Sequence, residues 1–205
     1  MSSTTPQQPD NEAPVINILG ENVALGPTTR NQVPTLHRWV NDFQVSILSG
    51  DPLQPTTLES LQAEYDRTFG KEAQRQNATG FSIYERASMR LIGYTELRHI
   101  DHRNRTATFG IMIGEKDCWH KGYGTEATRL MLDYGFNVLN LHNIDLNTHS
   151  YNEAAQKAYT RAGFRVIGRR RQACRWGDRI YDEVLMDCLS TEFERPHPPV
   201  IEHPQ

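Results

Sequence analysis

The spacing of the apolar residues changes partway along the chain, and this change restricts the fold more than any other feature. Three strand-like runs, at 80–85, 90–98 and 105–114, follow one another through short polar turns, which is the pattern of an antiparallel meander. Beyond residue 122 the apolar residues recur at helical spacing instead. The members of this helical stripe are Tyr123, Ala127, Leu130, Met131, Tyr134 and Val138.

The rest of the sequence predicts elements that extend this sheet and cover it. Gly163 stands where a glycine commonly ends a helix, and Ser150 with Glu153 resembles a capping box at the start of that helix. We therefore expect an α/β protein with a mixed, mostly antiparallel sheet of about seven strands and helices on both faces. The other predicted elements are a strand at 21–25, helices at 33–41 and 58–69 with a loop at 46–57 between them, and strands at 144–148, 164–175 and 180–189.

The length of 205 residues suits one domain. We predict that domain at 15–191, between polar or proline-rich disordered tails at 1–14 and 192–205. The formal charge of −3 argues against a general nucleic-acid binder. Three cysteines without zinc-ligand spacing indicate reduced thiols and no metal site. With no signal-peptide pattern and no membrane-length apolar run, we expect a soluble cytoplasmic protein.

A glycine-containing loop at 119–125 leaves a strand and enters the amphipathic helix. Glycine allows a ligand to approach the backbone closely, and the free N–H groups and dipole of a helix start favour an anion such as a pyrophosphate. The spacing alone is weak evidence, because a glycine turn that only begins a helix has the same appearance. The loop residues are Trp119, His120, Lys121, Gly122, Tyr123, Gly124 and Thr125.

A second motif places Asn152, Ala155, Tyr159, Gly163 and Phe164 at helical spacing. Taken alone, it describes an asparagine that caps a helix and a tyrosine in the core.

Together, in this order, the two motifs resemble the GNAT superfamily of N-acetyltransferases. The segments 91–97, 107–113 and 133–141 resemble the same family, and the ribosomal-protein and spermidine N-acetyltransferase branch is the nearest group. The resemblance extends over about residues 20–190. It implies an enzyme that takes an acetyl group from acetyl-CoA to a primary amine, and it implies a homodimer with the last strands as a plausible contact.

The resemblance also implies roles for individual residues. The loop at 119–125 would hold the pyrophosphate, and the backbone of Ile111, Met112 and Ile113 would face the thioester and the pantetheine arm. That arm would add to the sheet like an extra strand, which requires a gap beside this strand. Gly110 suits a bulge that opens the gap, or simply tight packing in a strand.

Tyr159 matches the general acid of the family, and Asn152 would hydrogen-bond the cofactor or the reacting centre. Many relatives carry a glutamate where this chain has Thr108, so the general base is less clearly marked. Glu96, on the adjacent strand, is the best replacement, although it also fits an ordinary exposed carboxylate. His99 and His102 are weaker candidates, and water alone is another.

The acceptor amine is not specified by the sequence. Acidic residues in the early helical region are few compared with those expected for a polyamine site: Asp51, Glu59, Glu64 and Asp66. A polyamine, an antibiotic amine, an amino-acid-like metabolite and a peptide N-terminus remain open. Thr108 also leaves open a non-catalytic acyl-CoA-binding regulatory domain, and the fold alone would allow an interaction module without cofactor.

An arginine-rich segment, 165–179, surrounds the last predicted turn. It could attract an acidic acceptor or the 3′-phosphate of the cofactor, or it could be a solvated strand face.

Overall fold

The strands of the protein form a single open sheet in the part of the chain that the computed structural model describes, residues 13–50, 53–69 and 77–195. The eight strands lie in the order β1-β2-β3-β4-β5-β6-β8-β7, and only the β5–β6 pair is parallel. Their bounds are β1 Ile18–Leu19, β2 Val23–Pro27, β3 Thr79–Glu85, β4 Arg90–Asp101, β5 Thr106–Ile113, β6 Asn143–His149, β7 Arg165–Trp176 and β8 Arg179–Leu189.

Helices pack on both faces of this sheet. On one face the ring of Phe81 meets Tyr134 edge-on, with centroids 5.1 Å apart. On the other face the neighbouring Ser82 donates a hydrogen bond of 2.6 Å to Gln32. The predicted layered α/β fold is therefore confirmed. The helices are α1 Val33–Val40, α2 Phe43–Ser49, α3 Leu58–Phe69, α4 Tyr123–Asn137 and α5 Glu153–Ala162.

The helix α4 forms the centre of the core because its apolar stripe is buried against the sheet, with Ala127 and Met131 fully inaccessible. Gly135 brings its backbone close to β6, since an added Cβ would lie 2.6 Å from the Ile144 side chain. None of the described helices combines the length and apolar content that a membrane crossing requires.

The sheet opens in its middle. Strands β5 and β6 pair only from Thr106–Asn143 to Thr108–Asp145, and from there the two strands diverge. Of the two alternatives for Gly110, the bulge does not occur, because the β4–β5 register runs without a shift through the Glu96–Gly110 pair. The opening lies instead where the β5–β6 pairing stops, beyond the Thr108–Asp145 pair.

The predicted loop at 46–57 begins too early, because α2 extends to Ser49. Asp42 caps this helix by accepting a hydrogen bond of 3.0 Å from the Gln44 N–H, and Gly50 ends it in the left-handed conformation with φ +81°. Val45 and Ser46 are buried. Gly50 and the prolines after it indicate the end of a helix, but a helix of seven residues is too short for a clear apolar stripe.

The capping box predicted at Ser150 is also wrong. The cap of α5 is Asn152, whose side-chain oxygen accepts a hydrogen bond of 3.2 Å from the Ala155 N–H. The Ser150 hydroxyl instead accepts from the Asp182 N–H at 3.1 Å. Gly163 ends α5 with φ +124°, as predicted.

The start of the segment predicted as a C-terminal tail contacts α4. The ring of Phe193 lies 5.4 Å from that of Phe136, and the Arg195 Nε lies 3.1 Å from a carboxylate oxygen of the buried Asp133. Residues 1–12 and 196–205, which hold most of the two predicted tails, and Asp51 lie outside the described residues.

Candidate active site

A cavity of about 830 Å³ lies where the sheet opens. Its walls come from β5, from the start of α4, from α5 and from the end of α2. Among the residues that line these walls are Leu48, Ile111, Met112, Ile113, Trp119, His120, Gly122, Tyr123, Gly124, Thr125, Tyr151, Asn152 and Tyr159.

The start of α4 presents unpaired backbone N–H groups to this cavity. Gly122 precedes the helix with φ +86°, and no side chain caps the helix. The first N–H groups of a helix have no intrahelical acceptor, so they remain for a ligand. Glu126, the acid of the first turn, is turned away, because its carboxylate accepts hydrogen bonds from the backbone and side chain of Asn22 at 2.9 Å each. This wall can bind an anion.

The loop before α4 is held in place by Trp119. Its indole Nε1 donates a hydrogen bond of 2.8 Å to the Ile113 carbonyl, which joins the loop to the end of β5. His120, next to it, has φ +61°, a left-handed conformation that costs a side-chain-bearing residue about 1–2 kcal/mol. The loop is therefore a fixed turn that brings its backbone to the cavity.

The strand β5 forms a second wall with a free edge. Its residues pair with β4 as far as the Gly93–Ile113 pair, but the pairing with β6 stops at Thr108. Beyond Thr108, the backbone groups that point toward β6 have no strand partner among the described residues. An extended polar chain can add to such an edge as a strand does.

Tyr159 stands between these walls. Its ring packs edge-on against Phe109 and Phe164, at centroid distances of 6.1 and 6.0 Å. No hydrogen bond joins its hydroxyl to another group within the described part of the chain, although the residue lines the cavity. Burial raises the pKa of Tyr159 to about 12. The hydroxyl therefore stays protonated at neutral pH and can donate to a group in the cavity.

Asn152 also lines the cavity, but its side chain already makes two hydrogen bonds within the protein. Its oxygen caps α5, and its Nδ2 donates a hydrogen bond of 2.7 Å to the Leu48 carbonyl of α2. The residue is only 6% exposed. The contact of Asn152 with the cofactor stays a prediction. The structure shows a different contact, the hydrogen bond from Asn152 to α2.

The structure brings most of the residues predicted for the site to this one cavity and leaves two apart. Lys121 and Glu96 are not among the residues that line it. The Glu96 carboxylate accepts a hydrogen bond of 2.6 Å from the Tyr94 hydroxyl and pairs with Arg98 at 3.1 Å. Burial and the neighbouring Glu96 charge raise the pKa of Tyr94. Glu96 thus lies on a sheet face beside the opening, and its role as a base stays a prediction.

Residues 22–165 match the family described as the acetyltransferase (GNAT) domain, which is more than half of the chain. The chain belongs to the GNAT acetyltransferase family. The match contains the α4 loop, β5 and Tyr159.

Individual relatives cover less of this GNAT chain. An uncharacterised N-acetyltransferase p20 of Bacillus licheniformis is 29% identical over 116 residues, which is 57% of this chain and 65% of the relative. Spermidine N(1)-acetyltransferase of Escherichia coli K12 is 42% identical over 76 residues, 37% of this chain and 40% of the relative. The chain therefore matches less than two thirds of the length of these curated relatives.

The fold of the GNAT chain is similar to that of solved enzymes over a larger part of its length. A crystal structure of spermidine N-acetyltransferase from Vibrio cholerae in complex with CoA and spermine superposes with a TM-score of 0.75 at 24% identity. The superposition covers 83% of this chain and 97% of that one. At this identity the likeness supports the fold.

The GNAT chain also has site residues that the sequence did not indicate. From α2, Val45, Leu48 and Ser49 line the cavity, and Tyr151 joins them just before α5. On α5 the basic side chains of Lys157 and Arg161 stand four residues apart and reach the cavity. Helical spacing from Ala154 would have indicated the α5 residues. No comparable signal marks the short α2.

A row of carboxylates lies on one face of the sheet beside the opening. Glu96 of β4 is opposite Gly110 of β5. Thr108 lies two residues before Gly110 on the same face of β5, and it is opposite Asp145 of β6. Asp145 is in turn opposite Asp187, and His149 is opposite Glu183. Because directly opposite residues share a face, these acids form one surface, named here the carboxylate face: Glu96, Asp145, Glu183 and Asp187.

Asp145 and Asp187 are the two acids of the carboxylate face without an ion pair in the described ranges, whereas Arg98 pairs with Glu96 and Arg170 with Glu183. Asp145 is exposed. Asp187 is opposite Asp145 on one side and opposite Arg165, which pairs with Glu192, on the other. Like charges directly opposite each other on a sheet are destabilising, so a cation beside Asp145 would be favourable.

The arginine-rich segment is the edge strand β7 and its turn. Its residues are mostly exposed, and none of its arginines lines the cavity. Arg165 pairs with Glu192 at 2.7 Å, and Arg170 pairs with Glu183 at 2.9 Å.

Proposed function

We propose that this protein is an N-acetyltransferase that moves the acetyl group of acetyl-CoA to the primary amine of a small cationic molecule of the polyamine class. The observation that carries the catalytic part is the Tyr159 hydroxyl, which is protonated and has no hydrogen-bond partner among the described residues, in a cavity between a free strand edge and a helix start. The amine would attack directly while both substrates are bound, so no covalent enzyme intermediate is needed.

The walls of the cavity fit the parts of acetyl-CoA. The N–H groups at the start of α4 suit its pyrophosphate, and Arg161 adds positive charge at the same cavity, whereas Lys157 pairs there with Glu153. The free edge of β5 suits the amide-containing pantetheine arm, because that arm can accept and donate backbone hydrogen bonds. When bound, acetyl-CoA supplies the activated acyl group.

The chain would supply orientation and a proton. A thiolate is a better leaving group when it is protonated, and the Tyr159 hydroxyl is the donor that the cavity offers. The aromatic contacts with Phe109 and Phe164 fix the direction of that hydroxyl. The attacking amine must be neutral, and the predicted acceptor of its proton is Glu96, through water.

The carboxylate face supports a cationic acceptor. Its two acids without ion pairs, Asp145 and Asp187, lie where β5 and β6 begin to diverge. A second ammonium group of the acceptor would bind there while its reacting amine enters the opening. The similarity to spermidine N-acetyltransferases points to the same class of acceptor.

The experiment measures thiol release from acetyl-CoA with spermidine, spermine, a monoamine of similar length, aminoglycosides, amino acids and short peptides. We expect turnover with the polyamines. In the Asp145→Asn and Asp187→Asn variants the KM for the polyamine should rise about two- to fivefold, as expected for the loss of one partly exposed charge interaction. Asp178→Asn, in the exposed β7–β8 turn, is the matched control and should leave that KM unchanged.

Preference for a peptide or an amino acid, or equal effects in all three variants, would contradict the polyamine proposal and leave the acetyltransferase proposal standing. Absence of turnover with every amine would contradict both.

A second candidate is an acyl-CoA-binding regulatory domain without turnover. Two observations favour it: threonine at position 108 and a Glu96 carboxylate that pairs with Arg98 away from the cavity. It predicts that acetyl-CoA binds in a titration while thiol release stays at the background rate with every amine.

We propose further that two copies associate through β7. This edge strand exposes Val166 and Ile167, which are 52% and 60% accessible, and exposed strand edges commonly pair with another chain. Light scattering after size exclusion should give a dimer for the native chain and a monomer for Ile167→Lys. A native monomer would contradict the proposal.

A further inference from the structure

Two neighbouring side chains at the start of α5 bind two neighbouring carbonyls at the end of α2. The Tyr151 hydroxyl donates a hydrogen bond of 2.7 Å to the Ile47 carbonyl, and the Asn152 Nδ2 donates one of 2.7 Å to the Leu48 carbonyl. Residues 47 and 151 are far apart in sequence, so these bonds join two elements that no short connection holds together. We refer to this pair of bonds as the α2 tether.

The tether matters because α2 has little stability of its own. The helix has seven residues, and isolated helices of this length do not persist in water. Its last carbonyls have no intrahelical donors, and the tether supplies donors to two of them. Val45, Leu48 and Ser49 of the same helix line the cavity. The start of α2 is anchored by the buried Val45 and by the hydrogen bond of Lys116 to Gln44, and the tether anchors its end. The position of the end of this cavity wall therefore depends on the tether.

The end of α2 also reaches the carboxylate face. Gly50, the residue that ends α2, lies against the His149 ring, since a Cβ built on Gly50 would be 3.4 Å from the His149 Cε1. His149 shares its face of β6 with Asp145, four residues earlier. The tethered wall thus stands between the cavity and the face proposed to bind the acceptor cation.

The Tyr151 ring is fixed on both sides. It stacks on His149 with centroids 5.2 Å apart and planes at 3°, and it meets Tyr181 edge-on at 4.9 Å. Burial raises the pKa of Tyr151 to about 12, so its hydroxyl remains a donor at neutral and moderately alkaline pH. A fixed ring with a protonated hydroxyl is suited to hold a carbonyl at a set position.

We infer that Tyr151 and Asn152 are positioning residues that hold α2 as the acceptor-side wall of the cavity, so that acceptor affinity depends on them more than acetyl-CoA affinity does. This inference rests on the proposed acetyl transfer for its kinetic consequence and on the structure alone for the hold on α2. It also gives Asn152 a second function besides the capping of α5.

The first test compares Tyr151→Phe with Tyr181→Phe. Each substitution removes one tyrosine hydroxyl from the same aromatic cluster, but only Tyr151→Phe breaks a hydrogen bond of the tether. Hydrogen–deuterium exchange in peptides that contain residues 43–49 should become about five- to tenfold faster in Tyr151→Phe, as for the loss of one hydrogen bond. Tyr181→Phe should exchange like the native protein. Equal exchange in all three proteins would overturn the inference.

The second test separates the two functions of Asn152. In Asn152→Asp the side-chain oxygen can still cap α5, but the donor to the Leu48 carbonyl is lost. Exchange in residues 43–49 should rise as in Tyr151→Phe, while exchange in α5 stays unchanged. Native exchange in residues 43–49 would mean that Asn152 serves only as a cap, and this result would overturn its part in the tether.

The kinetic test measures KM values for acetyl-CoA and for the acceptor amine that the thiol-release assay identifies. The acceptor KM should rise about five- to tenfold in Tyr151→Phe, with the acetyl-CoA KM unchanged within about twofold. An equal rise of both KM values would overturn the assignment to the acceptor side. If the native protein turns over no amine, the proposed function fails, and the exchange measurements alone then decide whether the tether holds α2.

Discussion

Two of the cavity walls, at the start of α4 and at α2, are built in different ways. The wall at the start of α4 comes from one continuous segment, residues 119–125, whose shape follows from Gly122 in a left-handed conformation and from the Trp119 bond to Ile113. The wall at α2 is a seven-residue helix held by side chains that lie more than a hundred residues away in sequence.

This difference separates a wall that depends on backbone groups from a wall that depends on individual side chains. Backbone N–H groups bind an anion whatever the side chains are, so the α4 wall can serve one cofactor in many enzymes. The α2 wall depends on individual side chains, and these can change with the acceptor. We therefore expect substitutions in the first wall to alter acetyl-CoA binding and substitutions in the second to alter acceptor binding.

The largest effect should come from Tyr159→Phe, which changes neither wall. The ring and its contacts with Phe109 and Phe164 remain, and only the proposed proton donor is lost. We expect kcat to fall about 10²- to 10³-fold with both KM values within about threefold of the native ones. A change in kcat below threefold in steady-state thiol release would show that Tyr159 is not the acid.

The next effect tests the α4 wall alone. Gly122→Ala places a methyl group in open space, since nothing lies within 4 Å of the built Cβ, so the cost is in the backbone conformation, about 1–2 kcal/mol. We expect acetyl-CoA to bind about tenfold more weakly in a calorimetric titration, with the acceptor KM unchanged.

Gly177→Ala is the matched control for that substitution. Gly177 also has a positive φ, +58°, and open space around it, but it lies in the β7–β8 turn. It should lower the melting temperature without altering acetyl-CoA affinity. If Gly177→Ala weakened acetyl-CoA binding as much as Gly122→Ala does, a general loss of stability would explain both results.

A smaller effect is expected for Trp119→Phe, which keeps an aromatic ring but removes the hydrogen bond to the Ile113 carbonyl. One such bond is worth about 1 kcal/mol, so acetyl-CoA affinity should fall about fivefold. Trp176→Phe, at an exposed position of β7, should leave the affinity unchanged. Native affinity in Trp119→Phe would mean that the loop keeps its shape without this bond.

The smallest expected effect is on the pH dependence. Burial raises the pKa of Tyr159 to about 12, and an acid is in its active form below its pKa. The proton should therefore be available across pH 7–10, and the ratio of native to Tyr159→Phe kcat should stay constant over this range. A ratio that falls toward pH 10 would place the working pKa of Tyr159 lower than the structure indicates.

The sequence was sufficient to predict seven of the eight strands, the long helices and the loop before α4 because each depends on a local signal, and it missed only the two-residue β1 among the strands of the described residues. The apolar spacing of α4 and the glycines around its start are contiguous. The predicted strand bounds at 80–85 and 180–189 differ from the observed ones by one residue. Long amphipathic segments and left-handed turns are marked by the local spacing of apolar residues and glycines, so they can be predicted without knowledge of tertiary contacts.

Features that depend on tertiary contacts were missed or predicted wrongly. Ser150 has the spacing of a helix cap, but its hydroxyl is taken by Asp182 of β8, so Asn152 caps α5 instead. Gly110 suits a bulge, but the opening of the sheet comes from the divergence of β6. The carboxylate face could not be predicted either, because its acids come from three strands whose register is set by the whole sheet.

The short pairing of β5 with β6 has a consequence for the behaviour of the protein in a crowded solution. Beyond Thr108, β5 leaves a row of unpaired backbone groups in the middle of the sheet, whereas most proteins have such rows at the outer strands. Outer rows invite pairing with other copies and aggregation. Here residues of α5 and α2 line the same cavity as this part of β5, so we expect this row to be less accessible to a β-strand of another protein than an outer row is.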